Sequence, residues 1–150
     1  MILRRYRRSD LDQIAELEKR AFTVGPYSKR YLRIVLEDPE AISLVAQIGS
    51  AICGYLVALP AEGGSIDIES IATDPDFQRS GVATRMMSML MQIACERYES
   101  IILEVREKNN EAILFYRKMG FEITEFLNGY YREYYLGSRN AYRMRKVCRK

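Results

Sequence analysis

The chain has 150 residues, no histidine, three cysteines and a formal net charge of +3. This length suits one domain with a substantial core, and 48% hydrophobic with 29% charged residues argue against wholesale disorder. The absence of histidine excludes a Ser-His-Asp triad and, because the cysteines are dispersed, a zinc site, so we expect no metal. Acid–base chemistry must therefore use carboxylates, tyrosines, lysines or water.

The cysteines and the apolar segments also bear on location. Cys53, Cys95 and Cys148 are far apart and form no C-x-x-C pair, which predicts no disulfide framework and a reducing compartment. The longest apolar runs have strand length, and the N-terminus lacks the apolar segment of a signal peptide. We expect a cytoplasmic protein that does not enter a membrane.

The first 60 residues predict a strand, two helices and a hairpin. Ser9 is a candidate N-cap of the first helix, and Ser28 of the second. Gly49-Ser50 is a good two-residue hairpin turn. The predicted elements are a strand over 1–6, a helix from 9 to 22, a helix over 29–36, and strands over 41–48 and 51–59. The arginines at positions 4, 5, 7 and 8 indicate either a solvated strand end or an RNA or ribosome contact.

Residues 65–73 predict a strand with two unlike faces. Alternation assigns one face to Ile66, Ile68 and Ser70, and the other to Asp67, Glu69 and Ile71. Acidic residues on an apolar strand either face solvent or belong to a site.

A turn and a helix follow this strand. Asp74-Pro75-Asp76 ends the strand, and a helical apolar pattern begins at Val82, with Ser80 as a candidate N-cap. A helix start presents unpaired N–H groups and a positive dipole end, so it attracts phosphate. Arg79 adds charge, and Gly81 allows close approach of an anion.

The last 50 residues predict strand, helix, strand, a tyrosine-rich loop and a final strand. Glu104 interrupts an apolar strand over 101–106, where it either pairs with Arg106 or has a functional role. The helix is expected from 108 to 119 with Gly120 as its C-cap, and the strands over 121–127 and 141–147. The order β-α-α-β-β-β-α-β-α-β-β indicates an α/β sandwich around a mixed sheet.

Several ordered motifs together resemble the GNAT acyltransferase superfamily along nearly the whole chain. Residues 78–83 fit its pyrophosphate-binding pattern [QR]-x-x-G-x-[GA], and residues 103–121 are similar to its L-E-V-R-x-x-N-x-x-A-I-x-x-Y-x-x-x-G-F signature. The most similar members are the N-terminal (Nα) protein acetyltransferases, some of which acetylate ribosomal proteins. The resemblance implies a single domain over 1–150 with the GNAT acyl-CoA N-acyltransferase fold, an α/β (α+β) class with a mixed central sheet flanked by helices.

The same resemblance implies an acetyl-CoA site between strands 66–73 and 101–106. Backbone groups of the first strand would pair with the pantetheine arm, and the helix start would bind the pyrophosphate. The implied cofactor-binding residues are Ile71, Ala72, Thr73, Gln78, Arg79, Ser80, Gly81, Val82, Ala83, Thr84, Asn109 and Tyr116.

The resemblance also implies catalytic and substrate residues. Glu104 would be the general base and Tyr116 the acid that protonates the departing thiolate, with Asp67 or Glu69 as the alternative base. The implied substrate residues are Phe22, Pro26, Tyr27, Tyr130 and Tyr131. Expected partners are protein or peptide N-termini, ribosomal proteins among them, with an auxiliary subunit as a further candidate; no direct nucleic-acid contact is expected.

The chemistry is consistent with an α-amine substrate. Its pKa of about 7.7–8.0 leaves roughly a tenth neutral near pH 7, whereas a lysine near 10.4 is neutral in less than about one part in a thousand. A carboxylate acting through water therefore suffices for an N-terminus. Two alternatives stay open: a GNAT enzyme acting on lysine or a small amine such as a polyamine, and a noncatalytic RNA- or ribosome-binding module that uses the basic chain ends.

Overall fold

The computed structural model describes residues 1–149, which form a seven-stranded mixed sheet with the order β1-β2-β3-β4-β5-β7-β6. Neighbouring strands are antiparallel except for β4 and β5, which are parallel. This confirms the predicted mixed sheet. The strands are β1 Ile2–Arg5, β2 Ile42–Ile48, β3 Ala51–Pro60, β4 Ser65–Thr73, β5 Ser100–Arg106, β6 Glu122–Leu127 and β7 Ala141–Val147.

Four α-helices flank the sheet: α1 Leu11–Ala21, α2 Lys29–Leu36, α3 Val82–Ala94 and α4 Asn110–Lys118. The predicted cap of α2 is confirmed, because Ser28 Oγ accepts the Tyr31 N–H at 3.1 Å. The predicted Ser9 cap of the first helix is wrong. A short 3-10 turn, Arg8–Asp10, precedes α1, and its N-terminal amide at Arg7 donates to the Asp10 carboxylate at 2.8 Å.

The sheet separates two hydrophobic cores. The core under α1 and α2, which we call the α1-side core, includes Ile14, Leu17, Leu32 and Tyr55. The α3-side core, under α3 and α4, includes Leu56, Ile66, Met86, Leu90, Ile101 and Phe121. Apolar residues at helical spacing bury one face of each of α1, α2 and α3.

A glycine on β3 fixes the position of α3. A Cβ atom at Gly54 would lie 2.9 Å from both Met86 Cε and Val82 Cγ1. The first turns of α3 can therefore approach the sheet only because residue 54 lacks a side chain. This close packing holds the N-terminus of α3 beside the C-terminal end of β4.

Two of the three cysteines form a disulfide, so the expectation of no disulfide framework is wrong. Cys95, directly after α3, is bonded to Cys148, directly after β7, at a sequence separation of 53 residues. Cys53 is free and buried. The wide sequence spacing of the cysteines is misleading, because the fold brings the end of β7 beside the end of α3. The cysteine pattern therefore does not argue for a reducing compartment.

Within residues 1–149, no helix combines the length and the apolar character needed to cross a membrane.

Candidate active site

A cleft opens where the two parallel strands separate. The ladder between β4 and β5 runs from Ser65–Ser100 to Ile68–Leu103 and then ends. Both strands continue, β4 to Thr73 and β5 to Arg106. From Glu69 onward the edge of β4 that faces β5 has no strand partner, so its backbone groups can pair with an extended ligand. The predicted residues Ile71, Ala72 and Thr73 lie on this edge.

The start of α3 has the geometry of an anion site. Its first helical hydrogen bond joins Arg85 N to Gly81 O at 3.1 Å, which leaves the amides of residues 82–84 without intrahelical acceptors. Gly81 has φ +85°, and no atom lies within 4 Å of the position of a Cβ there. The loop residue Arg79 also has a positive φ, 65°. These amides without intrahelical acceptors can bind phosphate oxygens.

The predicted N-cap of α3 is wrong. Gly81 occupies the cap position, and no side chain of residues 1–149 forms a hydrogen bond that caps this end. The Ser80 hydroxyl instead donates to the carbonyl oxygen of Phe77. The amides of the first helical turn are therefore left uncovered by the protein's own side chains.

Two predicted residues lie on α4. Asn109 is its N-cap, since Oδ1 accepts the Ala112 N–H at 3.1 Å. Tyr116 lies in the second half of the helix, edge-on to Phe121 with ring centroids 6.1 Å apart. Burial raises the pKa of Tyr116 to about 12. The phenol therefore stays protonated near neutral pH, as a proton donor must.

Glu104 pairs with β7, not with the neighbour expected from sequence. Arg143 Nε donates to Glu104 Oε2 at 3.0 Å, and Arg143 Nη1 donates to Glu125 Oε1 at 3.2 Å. The expected partner Arg106 instead lies over the Tyr131 ring, with its guanidinium carbon 4.0 Å from the centroid. β5 and β7 are antiparallel with Glu104 opposite Arg143, which explains the pairing.

Asp67 and Glu104 form a carboxyl pair across the mouth of the cleft. Burial, then the charge of Glu104 and a hydrogen bond with it, and then Glu69, raise the pKa of Asp67 to about 8. Within residues 1–149, Asp67 Oδ1 is buried and has no hydrogen-bond partner. At neutral pH Asp67 therefore holds a proton, because burial and the neighbouring charge of Glu104 both disfavour its ionised form. Glu104, the other member of the pair, is held by Arg143 at 3.0 Å.

A β-bulge at Glu69 changes the predicted faces of β4. Val57 pairs with Ser70 and Ala58 pairs with Ile68, so Glu69 has no partner on β3. Ile66, Ile68 and Ile71 contribute to the α3-side core. The Ser70 hydroxyl lies 2.7 Å from that of Tyr55, which is in the α1-side core. The prediction that Ser70 shares a face with Ile68 is wrong, because simple alternation does not account for an inserted residue.

Four tyrosines surround the acidic groups and form what we call the tyrosine rim: Tyr27, Tyr31, Tyr130 and Tyr131. The ring centroids of Tyr27 and Tyr31 are 4.6 Å apart, and those of Tyr130 and Tyr131 are 5.0 Å apart. Burial is the main cause of the raised pKa of all four, and nearby carboxylates add to it. Their hydroxyls therefore remain neutral donors. The sequence motifs identified three of these residues but not Tyr31.

A buried glutamate supports the rim from below, and the sequence analysis missed it. Glu18 on α1 is 2% exposed; it accepts the Tyr27 N–H at 2.9 Å and the Tyr55 hydroxyl at 2.5 Å. Burial raises its pKa, while these two donors act in the opposite direction. The sequence feature that could have identified Glu18 as buried is its position on the apolar face of α1, one turn after Ile14.

The remaining predicted substrate residues lie in the loop between α1 and α2. Phe22 is half-buried against the α1-side core, and Pro26 is exposed.

Two N-terminal arginines form internal ion pairs, Arg4 with Asp10 and Arg8 with Glu37. These pairs reduce the free positive charge that an RNA-binding surface would need.

Among residues 1–149, no group of three or more Cys, Asp or Glu side chains could hold a metal ion.

Comparison with known proteins agrees with this geometry. A sequence model of the acetyltransferase (GNAT) family matches residues 11–121. An "N-alpha-acetyltransferase" of Sulfurisphaera tokodaii is 30% identical, over 95% of this chain and 90% of its own length.

Two solved structures show the same fold. The ribosomal-protein-S18-alanine N-acetyltransferase of Escherichia coli superimposes with a TM-score of 0.90, at 21% identity, over 99% of this chain and 94% of its own. Arabidopsis thaliana Naa50, solved in complex with the bisubstrate analogue CoA-Ac-MVNAL, superimposes with a TM-score of 0.81, at 23% identity, over 97% of each chain.

Proposed function

The chain belongs to the acetyltransferase (GNAT) family, and we propose that it transfers the acetyl group of acetyl-CoA to the α-amino group of protein N-termini. The observation that carries this proposal is a carboxyl pair, Asp67 with Glu104, at the mouth of the β4–β5 cleft and inside the tyrosine rim. The name of the Sulfurisphaera tokodaii relative supports the same substrate class.

The chain's own residues would hold acetyl-CoA in three places. The free edge of β4 at 71–73 would pair with the pantetheine arm. The amides at the start of α3, with Gln78 and Arg79 from the preceding loop, would bind the pyrophosphate. Asn109 and Tyr116 on α4 would complete the site. When bound, acetyl-CoA supplies an activated acetyl thioester that an amine can attack directly.

Glu104 is the proposed general base. It would accept a proton from the α-ammonium, directly or through one water, and so free the nitrogen lone pair for attack. The Arg143 hydrogen bond to Oε2 would hold the Glu104 carboxylate in one orientation. Protonated Asp67 would donate to Glu104 and prevent a second charge from forming beside it. The free cysteine at position 53 has no role in this route, since direct attack needs no covalent enzyme intermediate.

Tyr116 is the proposed general acid. Its neutral hydroxyl would donate to the thiolate as the thioester bond breaks, where negative charge develops. The leaving thiol has a pKa of about 8.5 by analogy with cysteine. A donor that is fully protonated at neutral pH can therefore stabilise this charge throughout the working range.

The tyrosine rim is the proposed peptide site. Arg106 holds the loop that carries Tyr131 and Glu133. Its Nη1 donates to the carbonyl oxygen of Glu133 at 2.9 Å, and its guanidinium carbon lies 4.0 Å from the Tyr131 ring centroid. A pre-formed aromatic site can hold an extended N-terminus without ordering a loop on binding. Protein N-termini, those of ribosomal proteins among them, are therefore the proposed partners.

The test compares peptide and small-amine substrates in the wild type and in rim variants. Tyr130→Ala should raise the KM for a peptide about tenfold, because an aromatic contact of roughly 1 kcal/mol or more is lost. The KM for acetyl-CoA should change less than about twofold. Tyr134→Ala is the matched control, because Tyr134 is 65% exposed and its ring lies near Arg139. Equal use of free polyamines and peptides by the wild type would refute the proposed substrate class.

A further inference from the structure

Glu69, at the β-bulge of β4, presents a carboxylate to the tyrosine rim. Ser70 and Ile68 are paired with β3 but Glu69 is not, so Glu69 is the inserted residue of the bulge. Bulges commonly re-aim a side chain and are frequent next to active sites. Here the bulge turns Ser70 to the side of the sheet that Glu69 already faces, and on that side the Glu69 carboxylate meets the hydroxyls of Tyr27 and Tyr31.

Two tyrosines of the rim hold the Glu69 carboxylate. The Tyr31 hydroxyl donates to Glu69 Oε1, and the Tyr27 hydroxyl lies 3.5 Å from the same oxygen. Among residues 1–149, no donor forms a hydrogen bond to Oε2 and no basic side chain forms an ion pair with Glu69. The Arg143 guanidinium, which is the basic group of this site, is already bonded to Glu104 and Glu125. One oxygen of Glu69 is therefore held and the other is available to a substrate.

The distance from the reacting nitrogen identifies which part of a substrate Glu69 can contact. Asp67 and Glu69 are two residues apart on β4, which corresponds to at most about 7 Å along the strand. An extended peptide advances about 3.3–3.6 Å per residue. If the α-nitrogen lies beside Asp67 and Glu104, Glu69 is within reach of the side chains of the first two substrate residues.

We propose that Glu69 is a specificity-determining residue that selects N-termini with a cationic side chain at position 1 or 2 and rejects acidic ones. The proposal rests on the proposed N-terminal acetyltransferase function. A lysine or arginine there would meet the free oxygen of Glu69, and an aspartate or glutamate would meet like charge. Substrates with a neutral side chain at this position should be used at an intermediate rate, because the hydroxyls of Tyr27 and Tyr31 already contact Glu69 and are not free to bind them.

The expected discrimination is modest but measurable. One partly exposed attractive contact changes binding a few-fold, and replacing it by a repulsive one changes it by a similar factor. The ratio of kcat/KM for lysine over glutamate at the preferred position should therefore be about tenfold at low salt. It should shrink as salt screens the charges.

The experiment uses peptides that differ only at position 1 or 2, each bearing Lys, Gln or Glu there, with the acetylated atom mapped by mass spectrometry. The wild type should prefer Lys over Glu about tenfold. Glu69→Gln, which keeps an acceptor for the tyrosines, should reduce this ratio to below about twofold, and Glu69→Lys should invert it. The control Glu62→Gln removes an exposed carboxylate of the β3–β4 turn and should leave the ratio unchanged.

The outcomes separate the two proposals. An unchanged lysine preference in Glu69→Gln, or α-acetylation by the wild type with no charge preference, overturns the role of Glu69 and leaves the proposed function intact. Failure of the wild type to acetylate the α-amine of any peptide in the panel overturns the proposed function and the role of Glu69 together.

Discussion

Replacing Asp67 by asparagine should stabilise the protein, and the gain should grow with pH. Burial and the neighbouring Glu104 raise the pKa of Asp67 from 3.8 to about 8. Between these values the folded protein holds a proton that the unfolded chain has released, so stability falls as pH rises through this window. The side chain of the Asp67→Asn variant has no proton to lose, and its amide can still donate to Glu104.

The size of the effect follows from the pKa difference. A displacement of one in pKa corresponds to about 1.4 kcal/mol. The wild type should therefore lose on the order of 5 kcal/mol between pH 4 and pH 8 that Asp67→Asn retains. For a chain of this length, each kcal/mol shifts Tm by about 2–4 °C, which gives a difference on the order of 10 °C at pH 8.

The assay is thermal unfolding of both proteins from pH 4 to pH 9. Other titrating groups are common to both, so the difference in Tm reports residue 67 and its interaction with Glu104. It should widen up to about pH 8 and then level off. The control Asp12→Asn removes an exposed carboxylate whose side chain is 82% accessible and which pairs with Lys29 at the surface, and it should change Tm little, because exposed ion pairs contribute little to stability. A difference for Asp67→Asn that is constant with pH would refute a buried, protonated Asp67.

Three further predictions concern the disulfide, the proposed acid Tyr116 and the proposed base Glu104. Reducing the Cys95–Cys148 bond, or substituting Cys95→Ser, should lower the free energy of unfolding by about 4 kcal/mol, because it releases a 53-residue constraint on the unfolded chain; denaturant unfolding that is unaffected by reductant would contradict this. Tyr116→Phe should lower kcat about 100-fold with little change in acetyl-CoA affinity, and single-turnover kinetics with unaltered kcat would remove Tyr116 as the acid. Glu104→Gln should lower kcat/KM about 100-fold and flatten its rise with pH; an unaltered pH–rate profile would direct attention to Asp67 or Glu69.

Much of the fold could be predicted from local sequence. Residues 29–36, 65–73 and 141–147 have the predicted bounds because each is marked locally, by a cap, by turn residues or by alternation. The two wrong serine caps failed for one reason. In each case a residue close by in sequence takes the place of the serine. The Asp10 carboxylate accepts the Arg7 amide at the start of the first helical segment, and Gly81, in a left-handed conformation, occupies the N-cap position of α3.

The site could be predicted only where its residues belong to motifs. Glu104, Tyr116 and the loop at 78–83 were found because a contiguous pattern contains them. The partner of Glu104 was missed because Arg143 lies 39 residues away and is brought opposite by strand pairing. The Cys95–Cys148 bond was missed for the same reason. The bulge at Glu69 was missed because period-2 alternation assumes an uninterrupted ladder.

The most direct test of the account is a matched pair of peptides with one internal lysine, identical except that one has a free α-amine and the other a blocked one. Each is incubated with acetyl-CoA and the wild-type protein, and the modified nitrogen is identified by mass spectrometry. We expect acetyl on the α-amine of the free peptide and no transfer to the blocked peptide. Acetylation of the lysine at the same rate in both peptides would contradict it.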